Sequence, residues 1–129
     1  MRVLLDTHSW LWMRAEPERL ADSSRRLLRD PANELYFSAA SAWEIAIKYA
    51  SGKLRLPQPP AAFIAQRMAE DAVGALSILH SHALRAGELP PHHRDPFDRL
   101  LIAQAQIEGL TVLTADRRFA KYDVPVHWA

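Results

Sequence analysis

Asp6, Glu44, Asp98 and Asp116 are four carboxylates spread along a 129-residue chain, and each stands at the margin of an apolar or helix-periodic segment. Carboxylates brought within a few ångströms of one another repel, and one of them tends to take up a proton, so their convergence calls for a cation. The chain has no cysteine. An oxygen-only donor set matches hard divalent ions, Mg2+ and also Mn2+, which bind through one or two carboxylates together with waters and substrate phosphates. The chemistry of such a centre is attack of water on a phosphodiester, with the ions lowering the water's pKa and stabilising both entering and leaving oxygens. A hydrolytic nuclease follows from these residues more naturally than any other enzyme.

Whether the four acids meet depends on the elements that carry them. "RVLLD" reads as a first strand ending at Asp6, followed by a helix in "SWLWMRA" and a second helix over Ala21–Arg29, with Asp22 or Ser23 as its N-cap and Leu27 and Leu28 facing inward. "ELYFSAA" reads as a strand and "SAWEIAIKYASGKL" as a helix stopped by Gly52. Pro59 and Pro60 open the helix continued by "AAFIAQRMAEDAV", and "ALSIL" is strand-like. A brief helix in "SHALRAGEL", the loop "PPHHRD" and a strong helix in "PFDRLLIAQAQIEG" come next. "LTVLTAD" has the composition of a buried strand, "RRFAKYD" of a helical turn and "VPVHW" of a closing edge strand.

This alternation predicts a single α/β domain over residues 1–129, with three α/β/α layers around a mostly parallel sheet of 4 to 5 strands. In such sheets, ligands gather at the carboxyl ends of the strands, where neighbouring connections leave in opposite directions. Asp6 ends the first strand and Asp116 follows "TVLT". Glu44 lies in the first helical turn after the second strand, and Asp98 in the first turn of the helix feeding "TVLT". All four therefore face one crevice.

Each acid also has a structural reading. Ser41 and Glu44 have capping-box spacing, and Glu44 stands four residues before Lys48, a helix ion-pair spacing. Asp95 before Pro96 is a good N-cap, and Asp98 in the same turn is favoured by the helix dipole. Asp116 can cap the turn beginning at Arg117, and Asp6 the helix beginning at Thr7 or His8. Asp95 makes the third acid ambiguous; read as the cap, it leaves Asp98 free to face the crevice.

A formal net charge of +1 and a pI near 8.2 do not announce a nucleic-acid binder. Such a role must rest on local basic residues, with Lys48 and Arg94 as candidates for holding a phosphate backbone without reading its sequence. Hydrophobic residues make up 49% and charged residues 24%, which excludes a disordered or fibrous chain. The N-terminal apolar run is too short for a membrane span, and Asp6 interrupts any secretory core, so the expectation is a soluble cytoplasmic protein without a membrane partner.

The segments "LLDTHSWLW", "SAASAWEIAIKYASGKL", "HRDPFDRLLIAQA" and "LTVLTADRRFAKY", in that order, resemble the PIN-domain ribonucleases, and in particular the VapC-like toxins of bacterial toxin–antitoxin pairs. The resemblance covers nearly the whole chain. It implies that Asp6, Glu44, Asp98 and Asp116 form the acidic metal-binding quartet, with Thr114 as the small hydroxyl residue of the final strand. It further implies Mg2+- or Mn2+-dependent endonucleolytic cleavage of RNA, growth inhibition by that cleavage, a homodimer, and neutralisation by a cognate antitoxin. One departure stands beside it: many relatives follow the first aspartate with a serine or asparagine pair, where this chain has Thr7, His8 and Ser9.

Other readings compete. A stand-alone PIN-type nuclease would share the quartet but lack an antitoxin. His80 with His82, and His92 with His93, invite a zinc site, yet neither pair has the spacing that places two imidazoles on one helix face. A phosphoacceptor domain would want a second aspartate where His8 stands. A non-catalytic interaction domain would use the apolar run Trp10–Met13 but would not need four acids.

Overall fold

Val3, Leu4 and Leu5 are all fully buried, and a strand apolar on both faces requires helices on both sides of its sheet. The computed structural model describes residues 1–129 and has that architecture. Strand β1 (Arg2–Leu5) lies at the centre of a five-stranded, wholly parallel sheet with β2 (Glu34–Ser38), β3 (Val73–Leu76), β4 (Thr111–Thr114) and β5 (Val126–Trp128), in the order β3-β2-β1-β4-β5. Six helices connect them: α1 (Thr7–Ala15), α2 (Asp22–Arg29), α3 (Ala39–Ala50), α4 (Pro60–Glu70), α5 (His80–Glu88) and α6 (Pro96–Glu108). None is long and apolar enough to cross a membrane.

Side-chain alternation along β1 divides the core in two. Leu4 packs with Val112, Leu101, Ile102 and Phe119 beneath α5 and α6. Val3 and Leu5 pack on the opposite face with Trp10, Leu27, Phe37, Ile45 and Leu113, supplied by α1, α2, α3 and the neighbouring strands. Connections from β1 run outward through β2 to β3, and the α5–α6 crossover then returns to place β4 on the other side of β1. The crevice where connections diverge therefore lies between the tips of β1 and β4.

Several boundaries differ from the sequence expectation. Strand β2 ends at Ser38, whose hydroxyl accepts the Ala40 N–H at 3.0 Å, so α3 starts at Ala39 with no intervening loop. Ser41 is thus inside the helix, and the Ser41–Glu44 capping box does not exist: Ser38 has taken the cap. Strand β3 begins at Val73 rather than Ala75, because Ala72, at φ 53°, turns the chain sharply out of α4. "ALSIL" is strand only as far as Leu76. Helix α2 has Ala21 at its N-cap without a side-chain bond, so neither Asp22 nor Ser23 caps it; Leu27 is buried and Leu28 only half-buried. Gly52 and Gly109 take left-handed backbone after α3 and α6, as helix stops.

Candidate active site

Asp6 follows β1 directly. Its N–H donates to the Leu113 carbonyl at 3.1 Å, continuing the β1–β4 ladder by one rung, and its Oδ1 accepts the Ser9 N–H at 2.8 Å as N-cap of α1. The side chain is thus held at the crevice by the helix it starts. Burial pushes the Asp6 carboxyl above the usual range, against the opposing pull of the Thr114 hydroxyl and the Ser9 N–H. Thr114, fully buried at the tip of β4, also accepts the Asp116 N–H at 3.0 Å. It therefore ties two of the acids to one strand end.

Glu44 reaches the crevice from the second turn of α3 and is 4% exposed. Both of its oxygens are occupied: the Thr7 hydroxyl donates to Oε1 at 2.6 Å and Lys48 Nζ to Oε2 at 2.6 Å. The expected helix ion pair is present, with its carboxylate end buried and its ammonium end open to water.

Asp95 caps α6, accepting the Phe97 N–H at 2.8 Å and the Asp98 N–H at 3.1 Å through one oxygen. Asp98 is left free to face the other acids. Burial, then the nearby Asp95, Asp6, Glu44 and Asp116, push its carboxyl up to about 8. Asp116 is opposite in character. Arg118 donates through Nε and Nη2 at 3.0 and 2.6 Å and through its backbone N–H at 3.0 Å, and holds the Asp116 carboxylate below the usual range.

Between Asp98 and Asp116 sits His93, whose side chain is fully buried. Its Nε2 is 2.8 Å from Asp98 Oδ2 and 3.6 Å from Asp116 Oδ2. Burial, reinforced by Arg118, keeps this ring below the ordinary histidine range, so it is neutral at pH 7. The loop carrying it is clamped: the His93 N–H donates to the Tyr122 hydroxyl at 2.9 Å, and Arg99 donates to the carbonyls of Ala86, Leu89, Pro90 and His93 at 2.8 to 3.2 Å.

Asp6 and Asp116 open onto a cleft of about 400 Å³ whose other walls are His8, Trp12, Arg19 and Ala115. An oxygen-rich donor set with one carboxyl driven towards a proton at neutral pH is a place where positive charge is wanted. These residues fit a hard divalent cation. Arg94 stands apart from them, lining a hollow between α5 and α6 with Ala83, Gly87 and Leu100. The sequence reading missed Thr7, His93 and Arg118. Arg118, two residues from Asp116, is legible as a charge partner; for His93 the loop sequence suggests capping, packing or phosphate contact, and none of these points to an acid five residues away.

The PIN domain family model matches residues 3–125. The chain is 35% identical over 124 residues to ribonuclease VapC22 of Mycobacterium tuberculosis, covering 95% of this chain and 93% of that protein. It is 42% identical over 69 residues to ribonuclease VapC16 of the same organism, a match spanning 51% of this chain and about half (49%) of that relative. Among solved structures, it superposes on a chain of Rickettsia felis VapBC2 bound to a promoter DNA fragment with a TM-score of 0.72 at 15% identity, covering 99% and 98% of the two chains. A chain of DNA-bound VapBC from Salmonella typhimurium gives 0.68 at 17% identity, with the same coverage. The fold, the parallel sheet and the family match agree: the chain belongs to the PIN domain family and is similar within it to the VapC ribonucleases.

Proposed function

We propose that this chain is a divalent-metal-dependent endoribonuclease that acts as the toxin of a toxin–antitoxin pair in the cytoplasm. The observation that carries the reading is the convergence of Asp6, Glu44, Asp98 and Asp116 at the β1–β4 switch point, with Asp98 raised to about 8 by burial first and by its acidic neighbours second. Relatives named ribonuclease VapC at 35% and 42% identity support the choice of RNA, and structural neighbours crystallised as VapBC complexes support an antitoxin partner.

Asp6, Asp98 and Asp116 are the residues that would hold Mg2+ or Mn2+, with Glu44 completing the set once Lys48 and Thr7 yield an oxygen. A cation bound there supplies neutralisation of phosphate charge and a lowered water pKa. The protein's own part is positional. Thr114 keeps Asp6 and Asp116 at one strand end, Asp95 starts α6 so that Asp98 faces the crevice, and Trp12, His8 and Arg19 form the opposite wall against which a nucleic-acid strand lies. On α3, Trp43 is 59% and Ile47 42% exposed, an apolar surface that supports a protein partner, either the antitoxin or a second copy of the chain.

The test is cleavage of RNA by wild type, Asp6→Asn and Asp98→Asn with Mg2+, Mn2+ or a chelator. Cleavage that needs metal and both carboxylates is expected; metal-independent cleavage, or full activity in both variants, overturns the mechanism. Growth arrest on expression, relieved by the product of an adjacent short reading frame, tests the toxin assignment.

A further inference from the structure

We propose that His93 is not a metal ligand but a fixed hydrogen-bond donor, a positioning residue whose Nε2–H holds Asp98 in place, beside Asp116, for the cation. The inference rests on the metal-dependent reading above. Three atoms, one each from His93, Asp98 and Asp116, lie within 4.8 Å of one another, an arrangement that by distance alone would suit direct coordination by the imidazole.

The hydrogen bonds around the ring argue otherwise. The Asp95 N–H points at His93 Nδ1 from 3.3 Å. A backbone N–H can only donate, so Nδ1 must present its lone pair, and in a neutral imidazole the proton then sits on Nε2. That nitrogen faces the two carboxylates, 2.8 Å from Asp98 Oδ2 and 3.6 Å from Asp116 Oδ2. Coordination through Nε2 would require moving the proton to Nδ1, where it would meet the Asp95 N–H donor to donor. Turning the ring over would put carbon atoms at both positions and lose both contacts. Neither rearrangement has room, because the side chain is fully buried, Phe119 packs edge-on to the ring at 6.1 Å, and the residue's own N–H and C=O are held by Tyr122 and Arg99.

The same arrangement recurs at a second histidine in the chain, far from the cleft. His82 Nδ1 accepts the Leu79 N–H at 3.0 Å, and its Nε2 is 2.9 Å from Glu108 Oε1. There it links α5 to α6. At His93 the same device is turned on the cluster, and because Asp95 is also the cap of α6, a single loop sets the ring's tautomer and the position of Asp98 together. Outer partners of this kind fix ligand orientation, and their loss lowers metal affinity about 10- to 100-fold.

The experiment uses the full chain with diamagnetic Mg2+ for NMR and Mn2+ for EPR and calorimetry. Nitrogen NMR of 15N-histidine-labelled protein is expected to find the His93 proton on Nε2 before and after Mg2+ is added, and pulsed EPR of the Mn2+ complex of unlabelled protein is expected to find no 14N bonded to the metal. Calorimetry should give a 10- to 100-fold loss of Mn2+ affinity in His93→Ala and recovery of most of it in His93→Gln, whose amide N–H reaches the same oxygens. A proton on Nδ1, 14N bonded to the metal, or unchanged affinity in a folded His93→Ala overturns the proposal. If wild type cleaves RNA with Mn2+ while any of these is seen, only the role of His93 falls; if wild type neither binds Mn2+ nor cleaves RNA, the nuclease reading falls and takes this proposal with it.

Discussion

Lys48 stands one helical turn beyond Glu44 and closes one oxygen of that buried carboxylate at 2.6 Å, while Thr7, from a different helix, closes the other at the same distance. Glu44, like Asp116 with its Arg118, is therefore an acid whose charge is already answered by the protein. Replacing Lys48 by Met leaves that carboxylate facing Asp6 and Asp98 without its cation. The metal-free protein should lose about 1 kcal/mol, a partly exposed pair being worth no more, and melt about 3–5 °C lower. Saturating Mn2+ should narrow the gap. Differential scanning calorimetry with and without metal checks it, and an unchanged metal-free melting temperature would contradict the pairing.

Asp98 makes metal-free stability depend on pH. A carboxyl raised in the folded state favours folding while it is protonated; that contribution is complete below its ordinary value of 3.8 and is lost as pH rises towards about 8. Asp6 is raised too and adds to the decline, whereas Asp116, held low by Arg118, loses its contribution only as pH falls. Urea unfolding in chelator should show stability dropping by on the order of a few kcal/mol between pH 4 and 8, with Asp98→Asn visibly flatter. A wild-type profile that stays level across that window counts against the charge cluster.

Binding of the cation should expel that proton. At pH 7 a carboxyl near 8 is mostly protonated, so Mn2+ entry is expected to release about one proton per chain. Titration calorimetry in two buffers of different ionisation enthalpy measures the number directly. Asp98→Asn should release close to none.

Asp95 and Asp98 should part company on substitution. Asp95→Ala removes a cap accepting two N–H groups and should cost about 1 kcal/mol of stability, while RNA cleavage at a temperature where the variant is folded persists. Asp98→Asn keeps the fold and abolishes cleavage. The reverse pattern would make Asp95 the ligand.

The acids and the layer order were legible because they depend on features that sequence displays: strands apolar on both faces, turn residues between them, and carboxylates at element ends. Glu44 was reached for an incomplete reason. Its spacing to Ser41 imitated a capping box, and only the direct entry of β2 into α3 through Ser38 shows that the glutamate has no cap to serve. His93 was illegible for a different cause. Its role depends on the Asp95 N–H fixing its tautomer and on Tyr122 and Arg99 fixing its backbone, relations among a loop, a helix and a distant tyrosine that no local pattern encodes. β3 was misplaced because its start is set by one left-handed alanine, a conformation that alanine does not advertise.

The central strand β1 is the first of the five strands to be synthesised, and its partner β4, bearing Thr114 and leading to Asp116, is the fourth. Parallel pairing between such distant segments forms slowly and late. A chain still emerging from the ribosome holds Asp6 and Glu44 without Asp116, and so cannot assemble the cluster. The order of the strands therefore makes completion of the carboxylate centre a late step of folding, dependent on a pairing between segments far apart in the chain.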